Sequence, residues 1–265
     1  MVTVADLREQ DEPITMLTAY DAPTAELVDE AGIDSVLVGD SLGNAMLGYD
    51  STIPVTMDDV ARATAAVARA VDEALVISDL PFLSYGVDPA ESVANAGRLL
   101  KEAGAQAVKI ESGPHTVELT ERLTQVGIPV MAHLGLTPQH VHGIGGYARQ
   151  GTTEEQAAEI LDLAEAHQEA GAFGLVMEHV PREVGAAVTE ALEIPVIGIG
   201  AGPDTDGQVL VVNDAVGLSP SVPSFARAFG DVRGEMRDAI EAYRDAVVEG
   251  TFPDDDHSHS EGLDL

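Results

Sequence analysis

The sequence predicts an α/β fold, a (β/α)8 TIM barrel, on three observations. Short β-branched apolar runs alternate with longer stretches of helical periodicity along the whole chain. The runs are apolar almost without interruption, as parallel strands covered on both faces require. The first strand leads into Thr18-Ala-Tyr-Asp-Ala-Pro23, without the glycine-rich phosphate loop that opens a doubly wound sheet, the main rival.

The predicted strands are Ile14–Tyr20, Ser35–Gly39, Ala74–Asp79, Ala107–Glu111, Pro129–His133, Gly174–Glu178, Pro195–Gly200 and Gln208–Asn213. Helical periodicity marks Met57–Val71, Pro89–Ala103, His115–Gln125, Thr153–Ala170 and Arg182–Leu192. Gly32, Gly104, Gly127 and Gly171 stand where helices should stop. Gly198, Gly200 and Gly202 at the seventh strand read either as tight turns or as a place for a substrate edge. A last helical region, roughly Phe225–Val248, closes a single barrel domain of residues 1–250. Residues 251–265, with Asp254-Asp-Asp-His-Ser-His259, form an acidic tail.

The chain has 265 residues, 45% apolar and 22% charged, which supports a sizeable core and excludes a disordered chain. No apolar run reaches the roughly 18–20 residues of a membrane span. The start, MVTVADLREQ, lacks a secretory pattern, so the expected location is cytoplasmic. Thirteen Lys and Arg face 46 Asp and Glu, a formal net charge of −33. Such a surface repels nucleic acid and anionic membranes, and neither is an expected partner. It points to a salt-rich, halophilic cytoplasm, where self-repulsion is screened. There is no cysteine, which removes thiolate nucleophiles, Cys-bound zinc and iron–sulfur clusters. Any metal site must use oxygen or imidazole ligands, which favours hard cations such as Mg²⁺.

Catalytic groups of a barrel sit at the carboxyl ends of its strands. Five successive strands here end on ionisable residues: Asp40 with Ser41, Asp79, Lys109 with Glu111, His133, and Glu178 with His179. By alternation Val36, Val38 and Asp40 should share a face, as should Leu75, Ile77 and Asp79, and Gly174, Val176 and Glu178. Asp40, Asp79 and Glu111 read as oxygen ligands for Mg²⁺, or else as helix caps and solvent-facing acids. Lys109 is one of only two lysines and lies inside an apolar strand. Burial demands a counter-charge, from Glu111 or a substrate carboxylate; a Schiff-base lysine is the rival role. Glu178, two strands beyond Glu111, suits a general base that does not ligate metal. His133 reads as a substrate hydrogen-bonder or a satisfied core histidine. His140, His142 and His179 lack a zinc-ligand spacing.

Seven segments in order resemble the ketopantoate hydroxymethyltransferase family. They are Val38-Gly-Asp-Ser-Leu-Gly43, Asp79-Leu-Pro-Phe82, Val108-Lys-Ile-Glu111, His133-Leu-Gly-Leu-Thr-Pro-Gln139, Gly145-Gly-Tyr147, Glu178-His-Val-Pro181 and Ile194-Pro-Val-Ile-Gly-Ile-Gly-Ala-Gly202. The resemblance implies a barrel of the phosphoenolpyruvate mutase/isocitrate lyase type. It implies hydroxymethyl transfer from 5,10-methylenetetrahydrofolate to 2-oxoisovalerate, giving ketopantoate for pantothenate and coenzyme A biosynthesis. It further implies Mg²⁺ on Asp40, Asp79 and Glu111, keto-acid contacts from Asp40, Ser41, Asp79, Lys109 and His133, and Glu178 as base. The family also implies a homo-oligomer, commonly a homodecamer. The chain departs from the family's frequent Gly-Gly at Ser112-Gly113, and carries His179 where cysteine often follows the base. Rival readings are another Mg-dependent keto-acid carbon–carbon lyase, whose usual catalytic cysteine is missing, and a lysine aldolase.

Overall fold

Eight strands form where the continuous apolar runs stand: β1 Ile14–Thr18, β2 Ser35–Val38, β3 Leu75–Asp79, β4 Ala107–Glu111, β5 Val130–Gly135, β6 Gly174–Glu178, β7 Val196–Ile199 and β8 Gly207–Leu210. A computed structural model describes residues 1–262. Each strand pairs in parallel with its sequence neighbour, and β1 closes on β8 with Ile14 opposite Gly207. The (β/α)8 expectation is met. The strand ending farthest from its expected bound is β8. Its chain turns at Val212, whose N–H is taken by the Thr18 hydroxyl at 2.9 Å.

Helices follow the strands as Ala22–Glu30, Met57–Ala68, Pro89–Lys101, Val117–Gln125, Glu154–Glu169 and Arg182–Ala191. Asp21, Thr56, Asp88 and Thr153 accept the first free N–H groups of four of them. Gly32, Gly104, Gly127 and Gly171 all take the left-handed backbone, φ 75° to 94°, as helix stops.

One face of every strand fills the lumen. Ile14, Met16, Leu37, Ile77, Ala107, Met131, Val176, Ile197 and Val209 form a single buried cluster there. Leu7, from a short helix Val4–Glu9 absent from the sequence reading, joins that cluster at the strands' amino end. Burying such a side chain contributes about 1.5–3 kcal/mol. The opposite face packs on the helices, with Leu134, Leu175, Met177 and Val196 against Ala164, Val184 and Val188.

The lumen corrects one expectation. In β2 the inward residue is Leu37, paired with Ile77, while Val38 pairs with Ser78, whose hydroxyl bonds Thr64 of an outer helix at 2.8 Å. Val36 and Val38 therefore face the helices. Asp40 does not share an inner face with them; it reaches the rim because β2 ends at Val38 and the chain turns.

From Asn213 onward the described chain separates as a second compact unit. Its helix is Val232–Glu249, shorter at the start than the expected Phe225–Val248. Asp231 caps it by accepting the Gly234 N–H at 3.0 Å, and residues 225–230 are irregular instead. Asp255–His257 makes a 3₁₀ turn in the acidic tail. Among the described residues no helix is long and apolar enough to cross a membrane.

Candidate active site

The carboxyl ends of β3, β4 and β5 place charged groups in register: Asp79 lies opposite Lys109, and Glu111 opposite His133. All four side chains continue the inward face of apolar residues below them and are buried. Asp40 joins from the turn after β2, its N–H donating to Asp79 Oδ2 at 3.0 Å. None of these acids is the N-cap residue of a helix, although Glu111 accepts the Gln139 N–H of the 3₁₀ turn Pro138–His140.

Gly39 permits the approach. A Cβ at this position would stand 2.7 Å from Ser41 Oγ and 3.4 Å from Asp79 Oδ2, so a side chain would enter the rim. Ser41 exchanges a hydrogen bond with the Tyr20 hydroxyl at 2.8 Å.

Lys109 Nζ sits 3.2 Å from Asp79 Oδ1 and 3.1 Å from His133 Nδ1. Burial works to lower the Lys109 pKa, but Asp79, Asp40 and Glu111 outweigh it and the group is held above its ordinary value. Lys109 is therefore an ammonium, the reverse of what an amine nucleophile needs. Its proton fixes the His133 tautomer: Nδ1 accepts from the ammonium, so the ring hydrogen is on Nε2. Burial and then the Lys109 charge depress the His133 pKa, keeping the ring neutral.

That Nε2 lies 3.1 Å from Glu178 Oε2. Glu178 is less deeply placed than the other acids, with 16% of its side chain exposed. β5 ends beside it at Gly135, φ 90°, where a Cβ would run into the Glu178 carbonyl. His179 follows with φ 48°, a left-handed turn that histidine tolerates better than most residues.

Burial first, then the charges of Asp79 and Glu111, push Asp40 well above the usual carboxylate range. Glu111 is raised too, chiefly by burial, against the lowering pull of Lys109 and a Gln139 N–H. Three acids around one ammonium leave a deficit of positive charge. Asp79 Oδ1 is buried, with the Lys109 ammonium at 3.2 Å as its neighbour. The donor set therefore fits a hard divalent cation. Among the described residues no three His, Asp or Glu side chains are clustered as a metal-ion site.

Two residues near the acids were not flagged by the sequence reading. Gln139 donates from its side chain to Asp40 and from its backbone to Glu111, and Tyr85 bonds both Gln139 and the Glu111 backbone. They are neutral, so no charge in an apolar strand advertised them. His140 Nδ1 lies 3.6 Å from Glu111 Oε2 at the exposed edge.

A family model described as ketopantoate hydroxymethyltransferase matches residues 1–255. The chain is similar to the 3-methyl-2-oxobutanoate hydroxymethyltransferase of Natronomonas pharaonis, a halophilic archaeon. The two are 65% identical over 251 residues, 95% of this chain and 93% of the relative. Among solved structures it is similar to phosphoenolpyruvate phosphomutase from Streptomyces platensis subsp. rosaceus. There the TM-score is 0.65 at 18% identity, covering 97% of this chain and 92% of that one. It is also similar to a phosphonopyruvate hydrolase solved with oxalate and Mg²⁺, with a TM-score of 0.63 at 15% identity, covering 98% and 93%. These two likenesses show the shared barrel fold.

Proposed function

The chain belongs to the ketopantoate hydroxymethyltransferase family, and from that premise we propose how the rim performs hydroxymethyl transfer to 3-methyl-2-oxobutanoate (2-oxoisovalerate). The observation that carries the reading is a division of labour. Three buried acids surround the Lys109 ammonium, while a fourth, Glu178, stands apart across a neutral His133.

Asp40, Asp79 and Glu111 would hold Mg²⁺, the ion present in the phosphonopyruvate hydrolase of the same fold. Bound there, it supplies Lewis-acid polarisation of the keto group. Lys109 pairs with the substrate carboxylate, and Ser41 and His133 orient its oxygens. His133 is a neutral donor at Nε2, so it can stabilise oxygen charge without itself removing the proton. Glu178 takes the proton from C3, leaving an enolate carbon as nucleophile. That carbon forms the new C–C bond with the methylene carbon of 5,10-methylenetetrahydrofolate. Both C–N bonds of that methylene break, water supplies the hydroxyl oxygen, and the C3 proton and one proton of the water balance the two folate nitrogens as tetrahydrofolate leaves.

We place the enzyme in the cytoplasm of a salt-adapted cell, as its charge of −33 and its halophilic relative suggest, and as a homo-oligomer, a homodecamer by family resemblance. The test is proton–deuterium exchange at C3 of 2-oxoisovalerate in molar KCl, with and without Mg²⁺. The expected outcome is cation-dependent exchange with no folate present. Folded, Mg²⁺-loaded protein that exchanges no deuterium, even with methylenetetrahydrofolate added, would overturn the reading. A covalent adduct trapped by borohydride would move the reaction to Lys109.

A further inference from the structure

We propose that Gln139 is a positioning residue for cation binding, fixing Asp40 and Glu111 relative to each other through its two amide groups. The inference rests on the reading that these acids, with Asp79, hold a divalent cation.

The hydrogen bonds around Gln139 have one consistent assignment. The Tyr85 hydroxyl accepts the Glu111 N–H at 3.0 Å and has a single proton to give. Gln139 Oε1, which can only accept, stands 2.8 Å away, closer than the Glu111 carbonyl at 3.3 Å. The proton therefore goes to Oε1. That leaves Nε2 facing Asp40 Oδ2 at 2.8 Å and the Leu80 carbonyl at 3.0 Å, two acceptors for its two hydrogens. A flipped amide would set its oxygen against both acceptors and its nitrogen against a hydroxyl donor. Tyr85 thus selects the amide orientation that Asp40 needs.

The backbone of the same residue does the second half. Its N–H lies 2.9 Å from Glu111 Oε2 and 3.1 Å from Oε1. The 3₁₀ turn Pro138–His140 presents that N–H inward, where no helix or sheet bond claims it. One residue on the segment after β5 therefore restrains a carboxylate from the turn after β2 and another from the end of β4. Asp40 is held at Oδ2 by the side-chain amide, and Glu111 at both carboxylate oxygens by the backbone N–H. Gln139 itself is buried, so these bonds face little competition from water.

Two variants test this, Gln139→Leu and Tyr85→Phe, in the full chain in molar KCl. The readout is Mn²⁺ binding by electron paramagnetic resonance without substrate, with the Mg²⁺ dependence of exchange measured beside it. Loss of a partner that orients metal ligands typically costs about 10–100-fold in affinity. Gln139→Leu is expected to weaken Mn²⁺ by about tenfold or more, and Tyr85→Phe by less. Saturating Mg²⁺ should recover most of the exchange rate in both. A purely structural role predicts a lower unfolding midpoint in EDTA with Mn²⁺ affinity unchanged, and that result overturns the proposal. Should Gln139→Leu fail to fold, Tyr85→Phe decides: wild-type affinity overturns, weakened affinity supports. If the wild-type protein binds no Mn²⁺, the cation reading itself falls and the proposal with it. If the wild type binds and both variants bind equally well, only the proposal falls.

Discussion

The two ends of the barrel use the same eight strands and bury their side chains equally well, to opposite effect. Leu7 at the amino end and Glu111 at the carboxyl end are each 2% exposed. Leu7 sits among apolar neighbours and its burial stabilises the fold. Glu111 sits near two other acids, and its burial raises its pKa, a sign that its charged form is held at a cost. Burial alone does not mark a core. What distinguishes the ends is whether the buried group would rather be in water, and the apolar end must offset the rim.

The largest expected effect separates the two ends by activity. Glu178→Gln should lower C3 exchange by about 100- to 10,000-fold, the usual worth of a general base. Its unfolding midpoint should stay near wild type, because Glu178 is the least buried acid of the group. Full-rate exchange in this variant would remove Glu178 from the base role. The converse substitution is Leu7→Ala, expected to cost about 2–5 kcal/mol of stability in a denaturant titration. Exchange per folded molecule should be unchanged; a matching fall in intrinsic rate would show that the ends are not separable.

A third substitution tests a buried ionisable group that belongs to neither end. His167 is fully buried between the Val117–Gln125 and Glu154–Glu169 helices, its Nδ1 3.0 Å from Thr120 Oγ1. Burial pushes its pKa down to about 4 from the ordinary 6.5. The unfolded chain takes up this proton below pH 6.5 while the folded chain resists until about 4. Stability is thus complete above 6.5 and is lost as the pH falls towards 4. Between pH 7 and 5 the loss attributable to His167 is about 2 kcal/mol. His167→Gln should flatten the stability profile across that window; a profile as steep as wild type would assign the acid sensitivity elsewhere.

These contrasts also explain what the sequence disclosed. Parallel strands must be apolar on both faces, so their runs stand out, and a charge at the end of such a run is conspicuous. Asp79, Lys109, Glu111, His133 and Glu178 were visible for that reason. Gln139, Tyr85 and Tyr20 were not, because a neutral polar residue breaks no rule where it stands. Asp40 was selected but assigned to the wrong face, since alternation fails once the chain leaves β2 after Val38. The Val4–Glu9 helix was missed because two turns carry too little periodicity. Its signature was the capping box, Thr3 and Asp6 bonding each other's N–H. The last helix was begun too early because Asp231, one acid among many, did not stand out as its cap.

The pairing of Ile14 with Gly207 has a consequence for how the chain is made. On a ribosome β1 emerges early, yet one of its edges has no partner until nearly the whole barrel has followed. For that interval the nascent chain carries an open strand edge and an unfinished lumen, both of which invite association with other chains. Long loop closure also makes such a contact slow to form. The helix carrying Leu7 precedes β1 in the chain, so it is already present to pack against the lumen face of the waiting strand during that interval.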